Sequence, residues 1–514
     1  MQTRTRIAAI DIGTNSIRCI VVEPAEQGRF RILDDEKGTV RLGEGLSASG
    51  AITPMAAERA RQTLTRMRKL VDGLKVSALE VVATSAVRSA SNGPVLVREW
   101  EEILGTPVRV ISGEEEAALA AQSALRNFDL GDKRFAVLDI GGGSLELATV
   151  QGSHVEAYYS LDLGAVVLTE RFFASDPVRE QDYKKFRRHV GESLKNCFNG
   201  EKVRLPTVIG SGGTVNAIAA MISASHQQPA FSGNHGMRLL RSEIVHLLAM
   251  LLRTPLAGRG QIPGLNPDRA DIIVAGVGVV DALMEFFDAN VLLVNERGIR
   301  EGMIVQGMRR HGLLSEPATP RSWRESLLAF GRSCQMDEPH ARQVAMLALS
   351  LFDTLAKPFG LGKRERAMLE GAALLHDIGY YISYHSHHKH SCHLIRHADL
   401  YGFTPREREL MAQAARYHRK ALPKKKHADY QQLSERDKLT VARLGGILRL
   451  ADGLDRRRAA MVEELTCQYR DRSLLLTLHG SEDLSVELFG AAGKKDLFEQ
   501  AFGLKVVFLT PQGE

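Results

Sequence analysis

The 514-residue sequence predicts two α/β domains in succession, then an all-α domain, and then a small α/β domain at its C-terminal end. Apolar β-type runs alternate with amphipathic helical segments as far as about residue 312, which is typical of α/β structure. From Trp323 to about Arg458, nearly every segment instead repeats its apolar residues with a helical period. A glycine-rich motif that occurs twice divides the α/β region in two. The predicted boundaries are 1–124, 125–312, 322–460 and 461–514.

The individual elements follow this division along the chain. The first domain is predicted to hold strands at 7–10, 17–22, 81–83 and 108–111, and helices at 56–74 and 115–126. The second has strands near 135–138, 207–209 and 291–294, and the Pro-, Ser- and Thr-containing segment 313–321 is a predicted linker. The all-α domain has helices at 341–355, 365–375 and 439–450. The last domain has strand-like runs at 474–478, 484–488 and 506–509 around a short helix at 496–502.

The composition excludes several classes of protein. With 44% hydrophobic and 25% charged residues, the chain is neither disordered nor collagen-like. No apolar stretch approaches the roughly 20 residues of a membrane helix, and Met1–Arg6 lacks a signal-peptide pattern, so we expect a cytoplasmic protein with no membrane partner. The 5 cysteines are scattered without a CxxC pair, which argues against a disulfide framework and a thiolate zinc site.

The repeated motif reads DIGTNS at Asp11–Ser16 and DIGGGS at Asp139–Ser144, each after an apolar strand. The residues that follow are β-type, so each loop should join two strands of a hairpin, unlike a P-loop or a dinucleotide-binding turn. Such turns present backbone N–H groups to an anion, since glycine has no Cβ to block its approach. The alternative is a pair of tight turns without a ligand. The candidate phosphate-binding residues are Asp11, Gly13, Thr14, Asn15, Ser16, Gly141, Gly142, Gly143 and Ser144.

Other polar residues are candidates for the same site. Gly212, Gly213 and Thr214 lie between a strand and a helix, where they form either a phosphate-binding helix start or a compact turn. The strand-end carboxylates Asp11 and Asp139, together with Glu146, are suited to orienting water or holding Mg²⁺. Arg88 is either a phosphate clamp or a solvated helix residue.

The segment ISGEEEAA, at 111–118, opens a helix with three consecutive glutamates. Ser112 and Glu115 have the spacing of a capping box, and acidic residues in a first turn favour the helix dipole. Glu114 and Glu115 therefore need no function. The same structural explanation is available for Glu116, and a catalytic role is the alternative.

Seven ordered motifs resemble the exopolyphosphatase / guanosine pentaphosphate phosphohydrolase (Ppx/GppA) family: DIGTNS, ATSAVR, ISGEEEA, DIGGGSLEL, GSGGT, GIREGM and RYHRK. The resemblance covers nearly the whole chain. It implies the actin-like (ASKHA) two-domain phosphotransferase fold and an HD-like helical domain. It also implies the release of terminal phosphate from inorganic polyphosphate or from pppGpp, a nucleotide of the stringent response, and a homodimer.

The resemblance also implies roles for residues. Glu116 corresponds to the proposed general base, which takes a proton from the attacking water. Asp139 and Glu146 match carboxylates near Mg²⁺, while Arg88 and Arg41 would neutralise phosphate charge.

Nine of the 17 histidines fall between His376 and His427. The pattern resembles that of HD phosphohydrolases, in which His and Asp from several helices converge on a divalent metal. Within the dense run at 385–393, His388 and His390 are the pair that matches the family. The alternative is an inherited fold whose histidines cap helices or line an anion groove. The candidate ligands for this second metal are His340, His376, Asp377, His418 and Asp452.

Basic residues cluster near these histidines, which suits a long polyanion whose binding weakens with salt. We expect no nucleic-acid partner, because no aromatic platform is evident beside these basic residues and the chain has only 2 Trp. A solvated basic face is the alternative. The cluster contains Arg416, Arg419, Lys420, Lys424, Lys425, Lys426, Arg456, Arg457 and Arg458.

The leading hypothesis is an Mg²⁺-dependent phosphohydrolase that acts on polyphosphate, pppGpp or both, in a cleft between the two actin-like domains. One rival places the chemistry at the HD site, on a phosphate ester or nucleotide. Another is a sensor that binds polyphosphate or (p)ppGpp without turnover.

Overall fold

The computed structural model describes residues 5–25, 30–225, 233–314 and 322–509. Their contacts form two compact units, one within Met1–Gln227 and Asn234–Pro320, and one formed mainly by Arg321–Glu514. Within the described ranges, no helix is both long and apolar enough to cross a membrane. Most of the predicted linker, residues 315–321, lies outside the described residues.

The first half of the N-terminal unit is built on a five-stranded sheet. Its elements are β1 (Ile7–Ile12), β2 (Ser16–Pro24), β3 (Phe30–Thr39), α1 (Leu46–Ser49), α2 (Pro54–Gly73), β4 (Ala78–Ala83), α3 (Ser85–Ser89), α4 (Gly93–Leu104), β5 (Arg109–Val110) and α5 (Gly113–Asn127). The strand order is β3-β2-β1-β4-β5, with β1 antiparallel to β2 and parallel to β4.

The second half repeats this plan with a six-stranded sheet. Its elements are β6 (Arg134–Ile140), β7 (Leu145–Gln151), β8 (His154–Leu161), α6 (Ala165–Phe172), α7 (Glu180–Cys197), β9 (Thr207–Ser211), α8 (Gly212–Ser225), β10 (Arg238–Leu240), α9 (Arg241–Arg253), α10 (Leu256–Arg259), a 3₁₀ turn (Pro267–Arg269), α11 (Ile273–Phe286), β11 (Val291–Val294) and α12 (Gly298–Arg310). The strand order is β10-β11-β9-β6-β7-β8. Again the first strand, β6, is antiparallel to the next and parallel to β9.

Two helices of the N-terminal unit pack on the sheet of the other half. Ala121 and Ala124 of α5 pack against Phe135 of β6, whereas Met303 of α12 packs in a cluster with Ile7 of β1. The two helices also contact each other. The predicted boundaries at residues 124 and 312 stay predictions, because these two helices do not follow that division. Helix α5 joins the core of the second half, and helix α12 joins the core of the first half.

The C-terminal unit is mostly helical and ends in a small α/β part. Its elements are α13 (Trp323–Ser333), α14 (Glu338–Phe359), α15 (Lys363–Leu375), a 3₁₀ turn (Ile378–Tyr381), α16 (His387–His397), α17 (Pro405–Arg416), α18 (Ala428–Gln431), α19 (Glu435–Gly453), β12 (Glu464–Arg470), β13 (Ser473–His479), α20 (Ser485–Ala492), α21 (Asp496–Phe502) and β14 (Lys505–Leu509). The sheet order is β12-β13-β14, and its inner face shares one core with the helices.

The strand predicted at 484–488 is wrong, because this segment begins helix α20. Its two buried residues, Glu487 and Ala491, are four apart and therefore lie on one helical face. That face packs closely on the end of α19, where a Cβ added at Gly453 would lie 2.7 Å from the Ala491 Cα. Arg457 donates hydrogen bonds to the buried Glu487. The alternating apolar and polar residues of this segment therefore belong to a helix that buries one glutamate paired with an arginine, and not to a strand.

Candidate functional site

The two repeated motifs form matching hairpin turns in the N-terminal unit, which confirms the prediction of hairpins. β1 pairs with β2, and β6 with β7. In the first turn the Gly13 N–H donates to the Ser16 carbonyl at 3.1 Å, and in the second the Gly141 N–H donates to the Ser144 carbonyl at 3.1 Å. The same sequence pattern thus closes the same turn in both halves.

The N-terminal end of helix α6 supports the second turn through hydrogen bonds. The carbonyls of Gly141 and Gly142 accept hydrogen bonds from the Ala165 and Val166 N–H groups at 3.1 and 2.8 Å. Within the described ranges, the Gly142 and Gly143 N–H groups donate to no backbone carbonyl. A side chain at Gly143 would overlap Thr14 of the first turn. The two turns therefore approach each other with backbone donors available for an anion.

The third glycine cluster supports Asp139 at the end of β6. Gly212 has φ 91°, and a Cβ there would lie 2.6 Å from the Asp139 Oδ1. The Ser211 hydroxyl donates to the Asp139 Oδ2 at 2.9 Å. Thr214 is fully buried and its Oγ1 accepts a hydrogen bond from Arg269 at 3.3 Å. Thr214 thus contacts an arginine of the site rather than lining the site itself.

These segments surround a cavity of about 320 Å³ in the N-terminal unit. The predicted site residues that line it are Asp11, Gly13, Thr14, Asn15, Ser16, Glu116, Asp139, Gly141, Gly142, Gly143, Ser144, Gly212 and Gly213. Three other predicted residues, Arg88, Glu146 and Thr214, are not part of the lining. The cavity therefore brings together most of the candidates from four separate segments.

Glu116 has a different environment from the two glutamates that precede it in the helix. The capping box is formed by Ser112 and Glu115: the Glu115 N–H donates to the Ser112 hydroxyl, and the Ser112 N–H donates to the Glu115 carboxylate. Glu116 is instead buried, at 7% exposure, and its Oε2 has no hydrogen-bond partner. The structural explanation holds for Glu115, whereas the Glu116 carboxylate is left available in the cavity.

Three carboxyl groups of the cavity lining, and Glu146 beside it, are largely withdrawn from water, which raises the pKa of each. The pKa of Glu116 is raised well above its usual value by burial and by the nearby Glu146. Burial raises the pKa of Glu146 to about 8, and those of Asp11 and Asp139 to about 6 each. The nearest cation to Glu116 is Arg88, with its Nη1 3.6 Å from Oε2. A divalent cation would relieve the repulsion among these groups.

The sequence reasoning missed five cations that line the cavity: Arg18, Lys37, Arg269, Arg297 and Arg300. Burial lowers the pKa of Arg269 to about 10, with Arg18 adding to the effect. The pKa values of Arg18 and Lys37 are also lowered by burial and by a neighbouring cation. Cations that destabilise one another in this way favour a strongly anionic ligand.

A pattern in the sequence could have identified only some of these cations. Arg18 lies opposite Asp11 on one side and opposite Lys37 on the other, so the three form one cross-strand row. Counting residues along the first hairpin could have found this row. Arg41, by contrast, forms an ion pair with Asp271 at 2.7 Å and does not line the cavity.

The cavity residues fit Mg²⁺ as part of a complex with phosphate. Asp11 Oδ1 and Glu116 Oε2 are buried oxygens without a hydrogen-bond partner, and hard carboxylate oxygens suit this ion. In the part of the chain that the structure describes, no three of the cavity carboxylates converge as a ready-made ligand set. Mg²⁺ often takes phosphate and water oxygens for its remaining positions.

A second cluster lies in the C-terminal unit and contains all five predicted ligands. Asp377 Oδ2 lies 3.8 Å from His340 Nε2 and 3.7 Å from His376 Nε2, and Asp377 Oδ1 lies 3.5 Å from His418 Nε2. Asp452 Oδ1 lies 3.6 Å from His340 Nε2 and 3.7 Å from His376 Nε2. Burial lowers the pKa of His340, but the neighbouring carboxylates of Asp452 and Asp455 raise it to about 9. A metal ion would displace that proton.

The histidine run at 385–393 contributes a ligand that the sequence did not single out. His387 Nε2 lies 3.3 Å from Asp377 Oδ1, and the groups of converging ligand atoms include His387 but neither His388 nor His390. The reason is local: the turn before α16 places His387 at the helix start, where its ring stacks with Tyr380 of the 3₁₀ turn and with His418, which follows α17.

Aromatic residues do lie beside the basic residues of this unit, so the expectation of none was wrong. The Arg419 guanidinium lies 5.9 Å from the Tyr384 ring centre, and that of Arg458 lies 5.2 Å from the ring centre of Tyr380. The tyrosines are distant from these arginines in sequence, which hid the contact. Lys424, Lys425 and Lys426 are exposed and have no ion pair within the described ranges.

Residues 20–311 match the Ppx/GppA phosphatase family, and residues 324–487 match its domain III. The chain belongs to the Ppx/GppA phosphatase family. Its N-terminal unit has the actin-like α/β fold of this family, and a helical region and a small three-stranded α/β part follow, as predicted.

Solved structures of other Ppx/GppA proteins are similar to the chain. The Aquifex aeolicus Ppx/GppA family member is 28% identical, with a TM-score of 0.52, over 60% of this chain and 98% of its own. A second structure of the A. aeolicus PPX-GPPA enzyme is 30% identical, with a TM-score of 0.51, over 59% and 99%. An exopolyphosphatase from Cytophaga hutchinsonii is 28% identical, with a TM-score of 0.55, over 59% and 98%.

Proposed function

We propose that this Ppx/GppA phosphatase removes terminal orthophosphate from inorganic polyphosphate or pppGpp, by Mg²⁺-dependent attack of water in the N-terminal cavity. The proposal rests on one observation: groups that suit phosphate and carboxylates that suit water and a metal ion line the same cavity. Five cations and two glycine turns line it, together with the carboxylates Glu116, Asp11 and Asp139. The cations and backbone donors suit phosphate oxygens, and the carboxylates suit water and a metal ion.

In this mechanism Glu116 is the general base. It takes a proton from water as the water oxygen bonds to the terminal phosphorus, and the bond from that phosphorus to the bridging oxygen breaks. The shortened chain leaves with the bridging oxygen. The raised pKa of Glu116 makes its carboxylate a stronger base toward the proton of the attacking water than an exposed glutamate would be.

The remaining residues hold the reacting groups in line. Asp139 would bind Mg²⁺ with phosphate oxygens, and Glu146, which accepts a hydrogen bond from Ser160 at 3.2 Å, would hold the metal or its water from beside the cavity. Bound Mg²⁺ would neutralise charge on the transferred phosphate. Arg269 and Arg18 would bind the phosphates that precede it, and Arg88 would offset the charge of Glu116.

The lining of the cavity favours a chain of phosphates as the part of the substrate inside it. Its apolar residues are Ile140, Ala217 and Ile299, and no aromatic ring is among the described lining residues. A guanine base would find no stacking partner there. The name of the C. hutchinsonii relative, an exopolyphosphatase, agrees with this preference.

The test is phosphate release with Mg²⁺ from polyphosphate and pppGpp, for the wild type, Glu116→Gln and the exposed neighbour control Glu114→Gln. We expect release that falls only in Glu116→Gln. Tight binding of either compound without release by the wild type would instead establish a sensor. A homodimer, which the resemblance implies, and a cytoplasmic location, which the sequence predicts, stay part of the proposal, and light scattering would measure the mass in solution.

A further inference from the structure

A group of exposed aromatic and apolar side chains lies at the end of the 3₁₀ turn of the C-terminal unit and just after it. Tyr381, Ile382 and Tyr384 are 57%, 50% and 62% exposed, and no other four consecutive residues in the described ranges hold three large apolar side chains this exposed. Such side chains need no explanation when they occur singly, whereas a group of them marks an interaction surface. This segment is therefore placed to contact a partner.

The backbone of this segment is fixed on helix α16. The Gly379 N–H donates to the Ser391 hydroxyl at 2.8 Å, and the Gly379 carbonyl accepts from the Ile382 N–H at 3.0 Å. A Cβ at Gly379 would lie 2.1 Å from the His387 carbonyl oxygen, so the turn packs directly on the helix backbone. The exposed side chains therefore stand on a backbone that needs no ordering when a partner binds, which favours affinity.

The rings of Tyr380 and Tyr384 form a row with two arginines. The two ring centres lie 5.7 Å apart. The Arg458 guanidinium lies 5.2 Å from the Tyr380 ring centre, and the Arg419 guanidinium lies 5.9 Å from that of Tyr384. Tyr380 stacks on the buried His387 and so supports the more exposed Tyr384. Exposed rings beside arginines are a surface on which nucleic-acid bases stack, because every base has a π-face.

The chain around these rings carries positive charge without acidic residues. No Asp or Glu occurs between Asp377 and Asp399, or between Glu409 and Asp429. Within the described ranges, Arg416 lies 3.9 Å from Asp429, and the other cations of the second segment form no ion pair. The cations of the second segment are Arg416, Arg419, Lys420, Lys424, Lys425 and Lys426.

Lys389 extends this basic region onto helix α16. Burial lowers the pKa of His427, and the charges of four neighbours lower it further: Arg416, Lys426, Lys424 and Lys389. Cations from helix α16, from the end of α17 and from the loop that follows α17 thus lie around one imidazole. Positive charges gathered in this way favour a polyanion, which neutralises several of them at once.

We propose that this surface binds single-stranded nucleic acid, with bases stacked on Tyr384 and on the neighbouring Tyr381, and with backbone phosphates on the cations of the segment 416–426. A single strand suits the rings better than a duplex does, because only unpaired bases expose their faces. Polyphosphate would use the cations but has no ring for the tyrosines. A protein partner fits less well, since lysine is depleted in protein interfaces. This proposal is independent of the function proposed for the N-terminal cavity.

The affinity of the full chain for matched oligonucleotides tests this proposal. Fluorescence anisotropy is measured with a labelled oligothymidylate of about 12 nucleotides, and with a strand of the same length in which abasic sites replace the bases. The two probes carry the same phosphate charge, so their difference isolates the bases. We expect the oligothymidylate to bind roughly 10-fold more tightly than the abasic strand. Thymidine monophosphate at an equal concentration of bases should not displace it, because one phosphate reaches few of the cations.

Variants separate the contacts with bases from those with phosphates. Tyr384→Ala and Tyr381→Ala should each weaken the binding of oligothymidylate several-fold, and should leave the affinity for the abasic strand and for polyphosphate unchanged. Tyr384→Phe keeps the ring and should bind as the wild type does. Tyr158→Ala, which removes an exposed ring of the N-terminal unit, is the control. Replacing Lys424, Lys425 and Lys426 with glutamine should weaken the binding of all three polyanions.

Circular dichroism confirms that each variant is folded, and light scattering compares its mass in solution with that of the wild type. Equal affinity for the oligothymidylate and the abasic strand would overturn the proposal, and so would tyrosine variants that bind the oligothymidylate normally. Displacement by thymidine monophosphate would reduce the site to a single nucleotide and would overturn the strand. A changed mass in Tyr384→Ala would identify the surface as a contact between copies of this chain instead.

Discussion

The N-terminal cavity and the C-terminal histidine cluster both gather buried carboxylates, but they surround them differently. In the cavity, Asp11, Asp139 and Glu116 face backbone amides, arginines and a lysine, with no histidine in the described lining. In the cluster, Asp377 and Asp452 face imidazole nitrogens. The first environment suits a phosphate chain with Mg²⁺, and the second suits softer divalent metals.

From this difference we expect the cavity and the histidine cluster to differ in the metals that they would bind. A change in one set of ligands should leave the other site intact, since substitutions at distant positions with no shared partners act independently. The predictions below use this independence.

The largest effect is expected for Asp139→Asn, which removes a negative charge from the cavity while keeping an acceptor for Ser211. Metal-assisted charge stabilisation is worth several kcal/mol, so kcat for phosphate release should fall by about 100-fold or more. Steady-state assays over a range of Mg²⁺ concentrations measure this, with the exposed Asp132→Asn as a control. Metal retained by the histidine cluster should be unchanged. Full activity in Asp139→Asn would exclude its metal role.

A smaller effect is expected for Arg269→Ala. Its Nε is buried without a partner in the cavity wall, and a charge-assisted hydrogen bond contributes about 1.5–3 kcal/mol. KM for polyphosphate should therefore rise by roughly 10- to 100-fold. Arg269→Lys should recover part of this loss, since it keeps the charge but not the planar fork. An unchanged KM in Arg269→Ala would show that this arginine does not bind substrate.

The cavity should also make the metal-free protein less stable as the pH rises. Folding raises the pKa of Glu146 to about 8, and those of Asp11 and Asp139 to about 6, so the folded state binds these protons more tightly than the unfolded chain. Their contribution to the free energy of unfolding is complete below about pH 4 and is lost as the pH rises through 6 to 8. Melting in a chelator between pH 5 and 8.5 measures the decline.

Glu146→Gln should flatten that decline at its alkaline end, and Mg²⁺ should reduce it by binding the ionised carboxylates. The exposed control Glu156→Gln has no buried carboxyl to remove. If Glu146→Gln follows the wild-type curve throughout, this carboxyl does not hold a proton in the folded cavity.

The smallest effect is expected on the exposed lysines of the C-terminal unit. Replacing Lys424, Lys425 and Lys426 with glutamine should weaken the binding of long polyphosphate several-fold and reduce the salt dependence of that affinity. Short chains should bind as before. Titrations at two salt concentrations measure both quantities, and equal long-chain affinity in the variant would identify these lysines as a solvated face.

The sequence predicted the hairpins, the capping box and the position of Glu116, because these depend on residues adjacent in the chain. It did not predict His387, since a dense histidine run offers no spacing that selects one member. Nor did it predict that α5 packs on the sheet of the second half and α12 on the sheet of the first half. It also did not predict that Arg269 reaches the cavity from a loop distant in sequence. These features depend on tertiary packing, and no local pattern records them.

The most direct test of two independent sites is phosphate release from polyphosphate by the wild type, Glu116→Gln and Asp377→Ala, with the bound metal of each protein measured in parallel. We predict that Glu116→Gln loses release but keeps the metal of the histidine cluster, while Asp377→Ala loses that metal but keeps release. Release that survives in Glu116→Gln and disappears in Asp377→Ala would contradict the account, and would place the chemistry at the histidine cluster.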